Sequence, residues 1–486
     1  MNYLSLIFFG FMPLFLIIYY IVPQKCRYIV ITIGSYFFYG FTDLRLLLIL
    51  TSVTVLTYIG GIILQNKKTR AMYALFMILT ILILFVFKYT NFAIRNINLI
   101  LAKFTGETAY QLTSLNLILP VGLSFIVFQA CTYLGDVYRN KLCAEKNILR
   151  YAAFVSFFPT VLSGPIQKAR ELLPQIKKPM PFDAETAKKG TVLFVWGAFE
   201  KILVANKLLV IVNRVFGNYE NYNSVYLIIA AICFSLYIYA DFSSYSDMAR
   251  GIAMLMGIRI GKNFNNPYLS CSTAEFWNRW HMSLNAWFIE NIYIPLGGNR
   301  KGALRKYINT FIVFFISGLW HGAAYRYIVW GVLNGGLVIA GQILKPIKSR
   351  IYSAIHIDEN VESIKCLRRI IVFILITMTW IFFNNSVTDS IFILKKIIYL
   401  NPINFFDQNL FSISGTLATT FTTAVVTLLF VYIQLKRQNE STEYACYCRQ
   451  PLLFQAMILG ILICICVFGA CSTDATVNTQ FLYFQF

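Results

Sequence analysis

Two Trp-His dipeptides, Trp280-His281 and Trp320-His321, carry two of the chain's three histidines into long apolar stretches. An imidazole titrates near neutrality, so its presence there points to proton-transfer chemistry rather than packing. His321 lies in Ile316-Ser-Gly-Leu-Trp-His-Gly-Ala-Ala-Tyr325. Counted from basic Arg305 and Lys306, a helix rising about 1.5 Å per residue carries it roughly 22 Å along its axis, past the middle of a bilayer. Gly318 and Gly322 flank it, and small residues let a neighbouring helix or a substrate approach the backbone closely. This setting favours a general base that accepts a hydroxyl proton over a hydrogen-bonded packing histidine.

His281 ends the run Glu275-Phe-Trp-Asn-Arg-Trp-His281, and Tyr293-Ile-Pro-Leu-Gly-Gly-Asn-Arg300 follows. If Thr273 to Glu290 is helical, Trp277, His281, Leu284 and Phe288 share one face. That aromatic stripe either holds a structural histidine bonded to a backbone carbonyl or supplies the second polar group of an active site. Trp280, Trp320, Asn278, Arg279 and Asn285 are the supporting candidates, although tryptophan and Arg279 would equally mark a membrane interface. A third polar cluster, Tyr239-Ala-Asp-Phe-Ser-Ser-Tyr-Ser-Asp-Met248, follows the apolar run Tyr226 to Tyr237. Asp247 has a local partner in Arg250 at i, i+3. Asp241 has none, and a carboxylate beside an apolar helix is a candidate site residue with His or Arg as its expected partner. Gly297-Gly-Asn-Arg-Lys-Gly302 lacks the Walker spacing and reads as a tight turn, from which Arg300 and Lys301 could still touch donor phosphates. No spacing of a metal-binding motif and no nucleophilic-serine elbow is present, so no metal is expected.

The elements that must position these groups are membrane helices. Hydrophobic residues make up 58% of the chain and charged ones 13%, a balance outside the range of soluble globular domains. Runs such as Leu4 to Val22, Leu46 to Leu64, Ala71 to Phe87, Thr191 to Val212 and Leu453 to Cys471 approach or exceed the roughly 20 residues of a spanning helix. The pattern predicts an all-α polytopic membrane protein of about eleven to thirteen transmembrane or re-entrant helices. The first run lacks a basic n-region and a small-residue cleavage site, so it is expected to be retained. The segment from Gly164 to Lys189 is half polar and reads as interfacial or re-entrant.

A net charge of +21 could suggest nucleic acid, but the basic residues are spread over short loops instead of one stripe. They act as topology signals. Lys25/Arg27, Lys67/Lys68/Arg70, Arg139/Lys141/Lys146/Arg150, Lys345/Lys348/Arg350, Arg368/Arg369 and Lys436/Arg437 are expected inside, which puts the N-terminus outside. The eleven cysteines form no paired framework and read mostly as small buried hydrophobes, and Cys446-x-Cys448 lacks partners at zinc-site spacing. Polar stretches are too short for a separate soluble core, so residues 1–486 are expected to form one integral domain, with its motif region at about 236–335.

With these residues in place, the chain resembles the membrane-bound O-acyltransferases, in the branch of bacterial alginate O-acetyltransferases and their exopolysaccharide- and peptidoglycan-acetylating relatives. The resemblance is carried by Leu119-Pro-Val-Gly-Leu-Ser-Phe125, Asp136-Val-Tyr-Arg139, Phe157-Phe-Pro159, Ser163-Gly-Pro-Ile166, Asp241-Phe-Ser-Ser-Tyr-Ser-Asp247 and Asn263-Phe-Asn-Asn-Pro-Tyr-Leu-Ser270. Phe276-Trp-Asn-Arg-Trp-His281, Tyr293 to Arg300, Gly318-Leu-Trp-His-Gly322 and the ending Phe481-Leu-Tyr-Phe-Gln-Phe486 complete it. It implies helices around a funnel or tunnel, with His321 at the family's essential histidine and His281 at the second histidine of this branch. It further implies acetyl-CoA as a cytoplasmic acyl donor, transfer to the outer side of a bacterial inner membrane, an SGNH-type secreted or periplasmic partner, and a polysaccharide acceptor. Two other readings stay open: D-alanyl transfer from a carrier protein, which needs a docking patch in place of a basic slot for CoA phosphates, and a non-enzymatic polysaccharide or lipid transporter.

Overall fold

The computed structural model describes residues 1–105, 112–115, 117, 119–399, 408–436, 447–471 and 480–482. Cys446, Arg437 and the last four residues of the C-terminal motif lie outside them. Among the described residues every regular element is helical.

The helices follow the apolar runs: α1 (Leu6–Ile21), α2 (Arg27–Gly40), α3 (Arg45–Asn66), α4 (Arg70–Thr105), α5 (Leu123–Tyr138), α6 (Ile148–Val155), α7 (Ala169–Lys177), α8 (Ala184–Phe199), α9 (Asn206–Phe216) and α10 (Ser224–Leu255). After them come α11 (Thr273–Arg279), α12 (Met282–Phe288), α13 (Gly302–His321), α14 (Tyr325–Ala354), α15 (Glu362–Asn384), α16 (Val387–Ile398), α17 (Leu417–Lys436) and α18 (Leu452–Cys471). Side-chain oxygens of Ser5, Asn147, Asp183, Asn223, Ser272 and Ser386 accept from first-turn amides and fix where α1, α6, α8, α10, α11 and α16 begin. Among the described residues seven helices (α3, α4, α10, α14, α15, α17 and α18) are long and apolar enough to cross a membrane, and α1 is a shorter apolar helix. Leu6, Leu48, Leu428 and Phe468 turn exposed apolar surface outward, which suits lipid.

Helix α10 is the hub, with 67% of its most apolar stretch buried against 17% for α4. Backbones pack closely where side chains are absent. A Cβ on Gly190 would lie 2.7 Å from the Gly251 carbonyl, joining α8 to α10, and one on Gly318 would lie 2.4 Å from the Tyr327 carbonyl, joining α13 to α14.

Two segments differ from the sequence expectations, and a third, where Gly164-Pro165 after Phe157 to Ser163 reads in the sequence as a helix stop or re-entrant turn, is irregular as expected. The Thr191 to Val212 run is divided among α8, a π-helical turn at Glu200–Ala205 and α9. The Tyr239 to Met248 cluster lies within α10 rather than after a helix, because its hydroxyls and carboxylates find partners on neighbouring helices. Residues 157–164 form a buried irregular turn. Its backbone groups are satisfied from afar: Tyr3 donates to the Phe158 and Pro159 carbonyls, and Ser35 Oγ accepts from the Phe158 amide. Irregular backbone survives in such a bundle only when protein groups replace water in this way.

Candidate active site

The helix expected over Thr273 to Glu290 is broken at Trp280-His281. The Trp280 amide still donates to the Phe276 carbonyl, but His281 takes a left-handed conformation, with φ 44°. The Met282 amide, which helical continuation would direct to Asn278, donates instead to the Asn263 carbonyl at 2.8 Å, and the Asn265 amide donates to the Arg279 carbonyl at 3.0 Å. Ser283 Oγ donates to Asn263 Oδ1 and accepts from the Ile166 amide. The break is therefore clamped from two other segments. A non-glycine residue at positive φ costs on the order of 1–3 kcal/mol and persists where its surroundings impose it. A π-helical turn at Ile289–Tyr293 then continues α12.

His321 is the last residue of α13, and Gly322 leaves the helix in extended backbone. Both imidazoles are buried, and both line one cavity of about 50 Å³ with Trp277, Trp280, Leu284 and Asn285. At roughly 10–15 Å³ of such volume per water, the chamber has room for a few waters. The Trp320 ring packs against both histidines: its centroid lies 6.0 Å from that of His281 and 4.8 Å from that of His321. Phe242 packs edge-on to His281 at 4.6 Å, while Trp330 and Phe383 pack edge-on to His321 at 4.9 and 5.1 Å. Trp277, His281, Leu284 and Phe288 thus face one chamber across a broken helix, as the sequence pattern predicted for a continuous one.

The other candidates divide. Trp280 and Asn285 line the chamber, and Asn285 Nδ2 donates to the Trp277 carbonyl at 3.2 Å and to Asn278 Oδ1 at 3.4 Å. Asn278 thereby supports the lining. Arg279 pairs with Glu275 at 2.6 Å on a partly exposed face. Asp247 pairs with Arg250 at 3.0 Å. The expected His or Arg partner of Asp241 is instead Lys201, at 2.6 Å with both side chains 1% exposed, and Asp241 Oδ2 accepts from the Leu482 amide. The reason is non-local: Lys201 sits in the π-helical turn beside α10. Arg300 and Lys301 are exposed in a turn where Gly297, Gly298 and Gly302 have positive φ and Asn309 donates to the Gly298 carbonyl at 2.9 Å.

Sequence reasoning missed four participants. Ser317 lines the chamber. Lys88 and Tyr89 of α4 donate to the carbonyls of Trp320 and Leu319, at the end of α13; a lysine inside an apolar run was the available signal. Glu290, two residues beyond α12, accepts from Lys168 at 2.7 Å and Arg170 at 3.0 Å. Burial alone would raise its carboxyl, but hydrogen bonds from Arg170 and Lys168 outweigh that and hold it at about 2.

Seven helices long and apolar enough to cross a membrane among the described residues, with two buried imidazoles on a small aromatic chamber, define a membrane protein with an embedded candidate site. The chain belongs to the membrane-bound O-acyltransferase family, MBOAT, whose pattern matches residues 35–388. It is 33% identical over 380 residues to the probable alginate O-acetylase AlgI of Pseudomonas putida, covering 77% of this chain and 75% of that one. It is 30% identical over 435 residues to the peptidoglycan O-acetyltransferase of Helicobacter pylori, covering 82% and 80%. A teichoic acid D-alanyltransferase of Bacillus subtilis is 28% identical over 243 residues, covering 46% of this chain. The protein is a multi-pass membrane acyltransferase, and the transporter reading falls.

Proposed function

We propose that this enzyme moves an acetyl group from cytoplasmic acetyl-CoA towards an extracytoplasmic polysaccharide, with His321 as general base. The observation that carries the reading is the convergence of His281 and His321 on one small chamber. His321 takes the proton of an acceptor hydroxyl, or of a relay nucleophile, as its oxygen attacks the thioester carbonyl; the thiolate of CoA leaves and the proton returns to it. His281 and Asn285 orient the reacting groups. The Trp277 indole N–H has no acceptor among the described residues, so it is a donor for the developing oxyanion, an effect commonly worth about 3–4 kcal/mol.

The basic turn with Arg300 and Lys301 suits the donor's phosphates, and an SGNH-type partner outside the membrane completes transfer to the polymer. The placement is the bacterial inner membrane with the N-terminus outside, and residues 1–486 act as one domain. Purified enzyme given acetyl-labelled acetyl-CoA should release CoA when an acceptor hydroxyl is supplied. Release only from D-alanyl carrier protein would move the donor assignment to the D-alanyl branch, and release from neither would reject the proposal.

A further inference from the structure

A helix that ends inside a protein leaves its last four carbonyls without intrahelical donors. In α13 these belong to Gly318, Leu319, Trp320 and His321, next to the imidazole itself. In surroundings without water each uncompensated carbonyl costs several kcal/mol. Helix α4 supplies donors to two of the four: the Tyr89 hydroxyl bonds the Leu319 carbonyl and the Lys88 ammonium bonds the Trp320 carbonyl, in contacts spanning more than 200 positions of sequence. Lys88 is buried, and its Nζ lies 5.7 Å from the centre of the Trp320 ring. A cation at the negative end of a helix macrodipole is stabilised, and the bond it makes is charge-assisted.

The Trp320 peptide is thus held twice. Its carbonyl is held by Lys88, and its indole is wedged between Phe125 at 5.7 Å and Phe128 at 5.8 Å. His321 is attached directly to that peptide, so its ring swings from a fixed base.

We propose that Lys88 and Tyr89 are positioning residues for His321, capping α13 from α4 so that the imidazole faces the chamber at the angle the reaction needs. Neither residue lines the chamber, so they act through the peptide rather than on substrate. The inference rests on His321 being the base. It also gives α4, the most lipid-exposed part of the bundle beside α17 and α18, a direct connection to the chemistry.

The test uses the full chain, labelled with 15N at its three histidines. In folded Lys88→Met the His321 imidazole signals should shift while those of His356 stay in place. A displacement of this kind should lower kcat roughly 100-fold with KM for acetyl-CoA held within about threefold. Lys88→Arg keeps the cationic donor and should recover most of kcat. If the methionine variant does not accumulate folded, Tyr89→Phe carries the same signal test with a smaller kcat loss. Unmoved His321 signals in either folded variant overturn the proposal. Shifted signals with full transfer activity would instead show the contact to be right and the base assignment wrong.

Discussion

Trp320 is the residue on which both halves of the site depend, since its ring packs against two imidazoles and its carbonyl receives the α4 cap. The dipeptides that carry the histidines were legible because ionisable groups stand out in apolar sequence. Their partners were not. Asp241 stood out for the same reason, but its lysine lies 40 positions away and no periodicity links them. With Lys201 and Asp241 both 1% exposed, removing one charge leaves the other buried and uncompensated. Asp241→Asn should therefore lose about 3–5 kcal/mol of stability, while Lys201→Met combined with Asp241→Leu should recover much of it. Thermal unfolding in detergent reads both; an Asp241→Asn melt equal to wild type would remove the ion pair from the account.

At the level of elements, apolar run lengths gave α1, α3 and α18 within two residues at each end, while α4 extends well beyond the run that announced it. What the runs could not show was where a helix breaks. The stop at His281 is set by backbone groups of Asn263 and Asn265, which no local pattern around residue 281 encodes. The π-helical turn after α12 is likewise held from outside, by Lys168 and Arg170 on Glu290 and by Arg139 on the Glu290 carbonyl at 3.1 Å. Glu290 titrates at about 2 in the fold against an ordinary 4.5. A depressed carboxyl stabilises the fold above its unfolded value, and that contribution disappears as pH falls through the folded one. Wild type should thus melt higher than Glu290→Gln near neutrality, and the gap should narrow steadily as pH drops from 4.5 towards 2. A gap that widens on acidification would contradict the assignment.

For the whole molecule, composition predicted the membrane class, and the positive-inside pattern is the ground on which the orientation is proposed. Cys26, Cys143 and Cys366 are exposed and lie beside basic loops expected in the cytoplasm. A membrane-impermeant maleimide should label them in inside-out vesicles and spare them in intact cells, as peptide mapping would resolve. Labelling of Cys26 and Cys143 in intact cells would invert the orientation and, with it, the side from which the donor arrives.

The proposed chemistry rests on one imidazole at the end of α13. The direct trial is acetyl transfer from acetyl-CoA in membranes holding equal amounts of folded wild-type and His321→Ala enzyme. Loss of a general base predicts a fall of at least about 100-fold in the rate. A variant that transfers acetyl at the wild-type rate would contradict the assignment of His321.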